Sequence, residues 1–332
     1  MAVAFQQSSR IRSAGRSHRY RHDVGVARTL ADCRSLILAA PPHLKLLPFG
    51  AGQSLGDVCL NDGGALIVTR EMAKILSFDR ADGTLTCEPG VTFGQIANET
   101  LSEPGAWLPF VFPGTTAVTM GGAIANDIHG KNHLLHGSFC HHVRSIELLR
   151  SDGSVTLCSE RDNAELFRAT LGGLGLTGII VSATFRLRPV PGPIMECESI
   201  RLERLADAFP LFSASTQEWE YCYSWHDPFD PAGRGVFVRC RHVAGVAHEA
   251  EPPSLLMRMP PACRCRRSSE ATPCGARGTP SCWRKRPNTR DGISRIAMPW
   301  RRSGISRAGI ACLGREDCST SSASSLNATG LR

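Results

Sequence analysis

Fifteen residues, TMGGAIANDIHGKNH from Thr119 to His133, hold three glycines, two histidines, two asparagines, one aspartate and one lysine. Imidazole, carboxylate and ammonium groups this close together suit proton transfer and anion binding. The glycines let a bulky ligand approach the backbone. A second glycine-rich stretch, PFGAGQSLGD from Pro48 to Asp57, directly follows an apolar run. Consecutive N–H groups with no side chain in the way form a nest for an anion such as a pyrophosphate. Neither stretch is a Walker loop, and neither matches G-x-G-x-x-G opening a helix, so a nicotinamide-binding unit is unsupported. Two long glycine loops, both after apolar segments, predict a dinucleotide cradle. His129, His133, His136, His141 and His142 have no Asp or Cys spacing around them that completes a metal site, so no metal is expected.

The elements that must carry these loops follow from the pattern. A helix fits Leu30–Ala39, and strands fit His43–Phe49 and Ala65–Thr69. Ile75–Asp79 and Thr84–Glu88 flank a hairpin turn at Asp82-Gly83, and a second hairpin turns at Asp152-Gly153. Thr92 caps a helix over Phe93–Leu101, and Asn163 caps a short helix over Ala164–Thr170. A long strand follows GGLGLTG. Past Glu198 the pattern restarts, with a helix near Leu205–Ser213 and strands at Tyr221–Trp225 and Gly235–Arg239. Short strands alternating with helices predict an α+β fold with mixed sheets.

At 332 residues, 42% hydrophobic and 20% charged, the chain has the composition of a globular protein of up to two domains. It contains no run of eighteen apolar residues, so no membrane anchor is expected. The basic N-terminus lacks an apolar signal core, which makes residues 1–17 a flexible start and the cytoplasm the expected location.

The charge is unevenly spread. After residue 255 there are 14 Arg and one Lys against four acidic residues, although the whole chain carries only +8. From Ala247 onward no valine, tyrosine or phenylalanine occurs. Such a segment cannot bury enough apolar surface to offset its ordering entropy. It lacks the aromatic or helical organisation of a nucleic-acid-binding arm and the paired CxxC spacings of a zinc module. Residues 247–332 are therefore expected to form a disordered or out-of-frame tail.

Pro48–Gly64, Pro113–Thr116, GGAIANDIHGKNH, HVRSIELLRSDG and GGLGLTGII together resemble the FAD-binding domain of the vanillyl-alcohol oxidase superfamily, the p-cresol methylhydroxylase type. Within it, HGKNH resembles the decaprenylphosphoryl-β-D-ribose 2′-oxidase branch. The resemblance covers about residues 18–245. It implies a two-subdomain FAD-binding domain over 18–190 and the start of an incomplete α+β substrate domain over 191–246.

Carried onto this chain, the resemblance implies that Ala51, Gly52, Gln53, Ser54, Leu55, Gly56, Asp57 and Asn61 wrap the FAD pyrophosphate and ribose. Gly114, Thr115, Thr119, Gly121 and Gly122 supply a second wall, with Asn126 and His129 near the isoalloxazine and Ile179 on the adenosine side. Covalent members place a histidine where this chain has Gln53, so FAD is expected to be held non-covalently.

The implied reaction is oxidation of a sugar CH–OH carbon on a small-molecule or lipid-linked substrate, a polyprenylphosphoryl pentose in this branch. A short-chain reductase partner would complete an epimerisation. A lipid-linked substrate also implies work peripheral to the inner face of a membrane. His129 would orient or deprotonate the substrate hydroxyl, a step worth about 10²–10⁴-fold. Lys131 would contact a substrate phosphate or act structurally through a carboxylate. An aldonolactone or alditol oxidase of the same superfamily is the alternative, as is a flavin-binding remnant without turnover. The family's later lysine, tyrosine and WNRLYG…QFQCV-like run are absent as written. Codons can be chosen for Arg307–Ser324 that, read two bases on, spell RWNRLFGKGGLLHFQCV, so the frame is expected to be lost between about Ala247 and Ala308 and activity to be impaired.

Overall fold

The computed structural model describes residues 3–101, 105–245 and 292–297, the last as backbone only. Its described residues form an α+β fold of three sheets. The first holds β1 (Gln6–Ser8), β2 (His22–Val26), β3 (Leu46–Phe49) and β4 (Ala65–Val68) in the order β1-β2-β4-β3. Both β2 and β3 run parallel to β4, and parallel strands need a crossover. Helix α1 (Leu30–Ala39) follows β2 on the way to β3, within the bounds the sequence predicts. Thr29 and Asp32 close a capping box at its start. Its Cys33 and Leu36 are fully buried in a cluster with Ile67, Met72 and Val181.

The second sheet is antiparallel: β5 (Ile75–Asp79), β6 (Thr84–Cys87), β7 (Ala106–Pro109), β8 (Val143–Leu149), β9 (Val155–Ser159) and β10 (Ile179–Val190). Its order is β5-β6-β10-β8-β9, with β7 paired to the far end of β10. Helix α2 (Phe93–Thr100) starts at a capping box of Thr92 and Gln95, and α3 (Met120–Ala125), α4 (His133–His136) and α5 (Ala164–Thr170) follow. Phe93 meets Phe112 and Phe139 edge-on at 5.4 Å in the main core. Trp107 on β7 rests against Gly83 in the β5–β6 turn, where an added Cβ would come within 2.3 Å of its ring.

The third sheet holds β11 (Ile194–Leu202), β12 (Tyr221–His226), β13 (Gly235–Val243) and β14 (Gly292–Ala297) in the order β12-β13-β11-β14. Leu202, Trp219 and Phe237 make a cluster with α6 (Ala208–Ser215). Met195, Cys197, Tyr221 and Cys240 join the main core instead.

Four differences from the sequence reading have physical reasons. Asn163 precedes α5 in a left-handed conformation, but its side chain donates to Leu157 O and makes no cap bond. Strand β11 was not expected, because Glu196 and Glu198 interrupt its apolar run; each is paired by an arginine of β13. The segment expected to be a flexible start carries β1, paired with β2. One six-residue piece of the segment expected to be a tail, β14, pairs along β11. The rest of that tail, and the loss of frame argued for it, lie outside the described residues.

Candidate active site

A cleft opens where β3 and β4 end, walled by three segments. The first wall is Pro48–Ser54 with Val58 and Cys59, and the second runs from Val118 to Ile128. The third comprises Thr170, Leu174, Gly175 and the segment from Gly178 into β10. The first two walls meet at the floor, where a Cβ on Gly50 would come within 2.3 Å of Thr119 Oγ1.

The second wall is a short helix where two adjacent glycines argue against one. Tertiary bonds hold it: Met120 N–H donates to Val91 O and Gly121 N–H to Pro89 O. A Cβ on Gly121 would approach Pro89 Cβ to 2.9 Å, so glycine permits this close packing. Gly172 N–H and Leu174 N–H cap the helix end by donating to Ile124 O and Ala125 O. This third wall was not foreseen beyond Ile179. Its signal was the run GGLGLTG, in which Gly172, Leu174, Gly175 and Gly178 all have positive φ.

Of the residues expected at the cofactor, Ala51, Gly52, Gln53, Ser54, Thr119, Gly121, Gly122, Asn126 and Ile179 line the cleft. Leu55, Gly56, Asp57, Asn61, Gly114, Thr115 and His129 do not. Asn61 is turned inward, with Nδ2 donating to Lys45 O at 2.8 Å and Ala65 O at 3.3 Å. Asp57 accepts from Tyr20 Oη, and Thr115 Oγ1 accepts from Ala117 N–H.

Whether a dinucleotide fits can be tested on the loop itself. Among the described residues, no protein acceptor takes the N–H of Gly52, Gln53, Ser54, Leu55 or Gly56. Five successive donors without protein partners, with Gly52 at φ +65°, are chemically suited to an anionic diphosphate. No histidine or tyrosine lines the cleft, and Gln53 offers an amide that donates to Ala51 O. Cys59 does line it, and burial raises its thiol pKa, which disfavours the thiolate.

The two residues expected to do chemistry face different neighbours. His129 is exposed, bridged to Ser138 and edge-on to His133 at 5.6 Å. Lys131 turns to the third sheet, where its Nζ stands 3.7 Å from the Tyr223 ring centre and 5.8 Å from that of Trp225. Burial lowers its pKa. Its backbone is tied there too, as Cys222 N–H donates to Lys131 O.

Behind this segment lies a buried polar junction that the sequence reading missed. Arg188 of β10 pairs with Glu220 and donates to Tyr221 Oη at 3.0 Å. The Tyr221 hydroxyl is 3.3 Å from His242 Nε2, and His242 Nδ1 is 3.1 Å from Gly192 O. Donation to that carbonyl places the proton on Nδ1 and leaves Nε2 to accept from Tyr221. Burial, with Arg188 nearby, pushes His242 down to about 3. His136, near Glu220, is pushed down to about 4 by burial and by Arg188 and His142. His142 itself stacks flat on Phe110 at 4.3 Å rather than standing at a surface edge.

Comparison with known proteins agrees with the cleft's chemistry. Residues 24–159 match the FAD binding domain family. The decaprenylphosphoryl-beta-D-ribose oxidase of Mycolicibacterium smegmatis is 39% identical over 180 residues, 54% of this chain and 39% of that protein. An uncharacterized Streptomyces coelicolor protein in the mprA 5′ region is 34% identical over 177 residues, 52% of this chain and 46% of its own. The L-gulonolactone oxidase of Mus musculus is 30% identical over 154 residues, 46% of this chain and 34% of its own. The match spans less than half the length of each of these relatives. The matched segment, residues 24–159, is similar to an FAD binding domain, and FAD is the cofactor that this match supports. Among the described residues, no helix is long and apolar enough to cross a membrane.

Proposed function

We propose that FAD lies without a covalent bond along the three-walled cleft, in a two-subdomain binding domain made by the first two sheets. The chain then acts as an oxidoreductase on a sugar CH–OH carbon, that of a polyprenylphosphoryl pentose. The observation that carries the placement is the run of unpartnered amides that begins in the cleft lining at Gly52, Gln53 and Ser54 and continues to Gly56. Bound FAD supplies hydride acceptance, and the protein supplies position and electrostatics. His129 is solvent-accessible, with the second ring of His133 beside it, and takes or orients the hydroxyl proton. Lys131 holds a partly desolvated cation over Tyr223, where it attracts the substrate phosphate.

The pentose reading draws support from the relative named as a decaprenylphosphoryl-beta-D-ribose oxidase, and the third sheet would be the substrate side. An aldonolactone is the second reading, favoured by the L-gulonolactone oxidase match. The test is anaerobic mixing of the flavin-loaded chain with a polyprenylphosphoryl ribose or with an aldonolactone, followed by visible absorbance. Bleaching by the first alone is the expected result. Bleaching by the second alone would transfer the assignment to the aldonolactone, and a yellow protein bleached by neither would reduce it to flavin binding. Acid precipitation should leave the yellow colour in the supernatant; colour in the pellet would sink the non-covalent assignment.

A further inference from the structure

The N-terminal segment makes an unusual contact with the first glycine loop. Ala14 N–H donates to Ser54 O at 2.9 Å. Gly15 is pressed so closely on the loop that a Cβ there would lie 1.9 Å from Leu55 O. A Cβ on Gly52 would in turn lie 2.8 Å from Arg12 O. Ser13 between them is buried.

The segment is pinned on both sides. Upstream, β1 pairs with β2, and Arg10 N–H donates to Ser8 Oγ. Ile11 and Tyr20 both pack on the small core of Leu47, Phe49, Leu60 and Leu66 beneath the loop. Tyr20 also donates to Asp57 at the loop's far end.

The N-terminal segment meets Ser54 and Leu55 at their carbonyl oxygens. A peptide unit is planar, so a carbonyl held on one side fixes the following N–H on the other. The N–H groups of Leu55 and Gly56, which follow those carbonyls, are among the five without a protein acceptor. We propose that Arg12–Arg16 is a strap that sets the peptide planes of the first glycine loop and thereby positions its N–H groups for the FAD diphosphate. The strap is a positioning element: none of its residues lines the cleft. It rests on the placement of FAD proposed above.

The strap has two weak points that can be altered without touching the cleft. Gly15→Ala drives a methyl into the Leu55 carbonyl, and Ala14→Pro removes the N–H that Ser54 O accepts. FAD affinity of the full chain and of each variant would be measured by quenching of flavin fluorescence, with far-UV circular dichroism as the check on folding. Each variant should bind FAD about tenfold or more weakly with its dichroism unchanged. Hydrogen exchange on the unaltered chain gives a reading that needs no variant. Added FAD should slow exchange at residues 12–16 as well as at 51–56. Unchanged affinity in both variants overturns the strap, as does protection by FAD at 51–56 alone. If the full chain binds FAD but protects neither segment, the placement in this cleft fails and the strap with it.

Discussion

The glycine-lined cleft proposed for FAD and the junction behind Lys131 are built from opposite materials. The cleft is backbone: unpartnered amides, glycines packed to the limit of contact and few ionisable side chains among its lining residues. The junction is side chain: Arg188, Tyr221 and His242 are buried, with Glu220 and His136 half-buried beside them. A backbone site recognises what every dinucleotide shares, and its shape is secured once the local fold forms. A buried ionic junction depends on every partner being in place, because removing one leaves another desolvated and uncompensated. The cleft and the junction should therefore fail in different ways.

The largest effect is expected at the junction. Arg188→Met leaves Glu220, 14% exposed at its side chain, without its cation and should cost about 3–5 kcal/mol by thermal or denaturant unfolding. Adding Glu220→Gln should restore most of that loss. A single variant as stable as the parent would mean the junction is wet and the contrast false.

Next comes the floor of the cleft. Gly50→Val pushes a side chain into Thr119 Oγ1 and should weaken FAD binding by about 10–100-fold while the third sheet keeps its stability. Unaltered affinity would place the cofactor elsewhere.

Lys131→Met sharpens the division of labour. It keeps an apolar stem beside Tyr223 and forfeits a cation–π contact worth about 1–2 kcal/mol. FAD affinity should stay within about twofold, whereas flavin reduction by a phosphate-bearing substrate should fall sharply. Equal loss in both assays would place Lys131 at the cofactor.

The same junction should also show in the pH dependence of stability. His136 and His242 have folded values depressed to about 4 and about 3, below the ordinary histidine value of 6.5. Between those values and 6.5 the unfolded chain binds more protons than the folded one, so stability rises with pH. The histidine contribution is complete above pH 6.5 and is lost as pH falls toward 4 and then 3. A melting temperature flat from pH 6.5 to pH 4 would mean that these rings titrate normally.

The sequence was most legible where local chemistry decides structure. Thr92 as a cap, Gly83 and Gly153 as turn residues and the helix over Leu30–Ala39 follow from spacing alone, and all appear as expected. The two glycine loops were legible as loops, and the structure brings them to one cleft. What could not be read depends on distant partners. Strand β11 needs Arg239 and Arg241 of β13 to make its glutamates acceptable. Helix α3 needs the carbonyls of Pro89 and Val91 to hold its two glycines in a helix. Lys131, expected at a substrate phosphate or a carboxylate, lies over an aromatic ring some ninety residues along the chain. The five-residue junction leaves no local pattern, since its members come from β10, α4 and the third sheet.

Strand β10 has a consequence for how the protein is made. It lies between β6 and β8 in the second sheet, yet it is the last of that sheet's strands to be synthesised. Until Ile179–Val190 leaves the ribosome, β5–β6 and β8–β9 exist as two separate hairpins, each marginal alone. Its arrival joins them and, through β7 and Arg188, sets the seat for the third sheet. Ala183 pairs with Cys87 across nearly a hundred residues, so closing this sheet carries a large loop-closure entropy. A pause in translation before residue 179 would hold open strand edges in front of any chaperone, or any second copy, within reach.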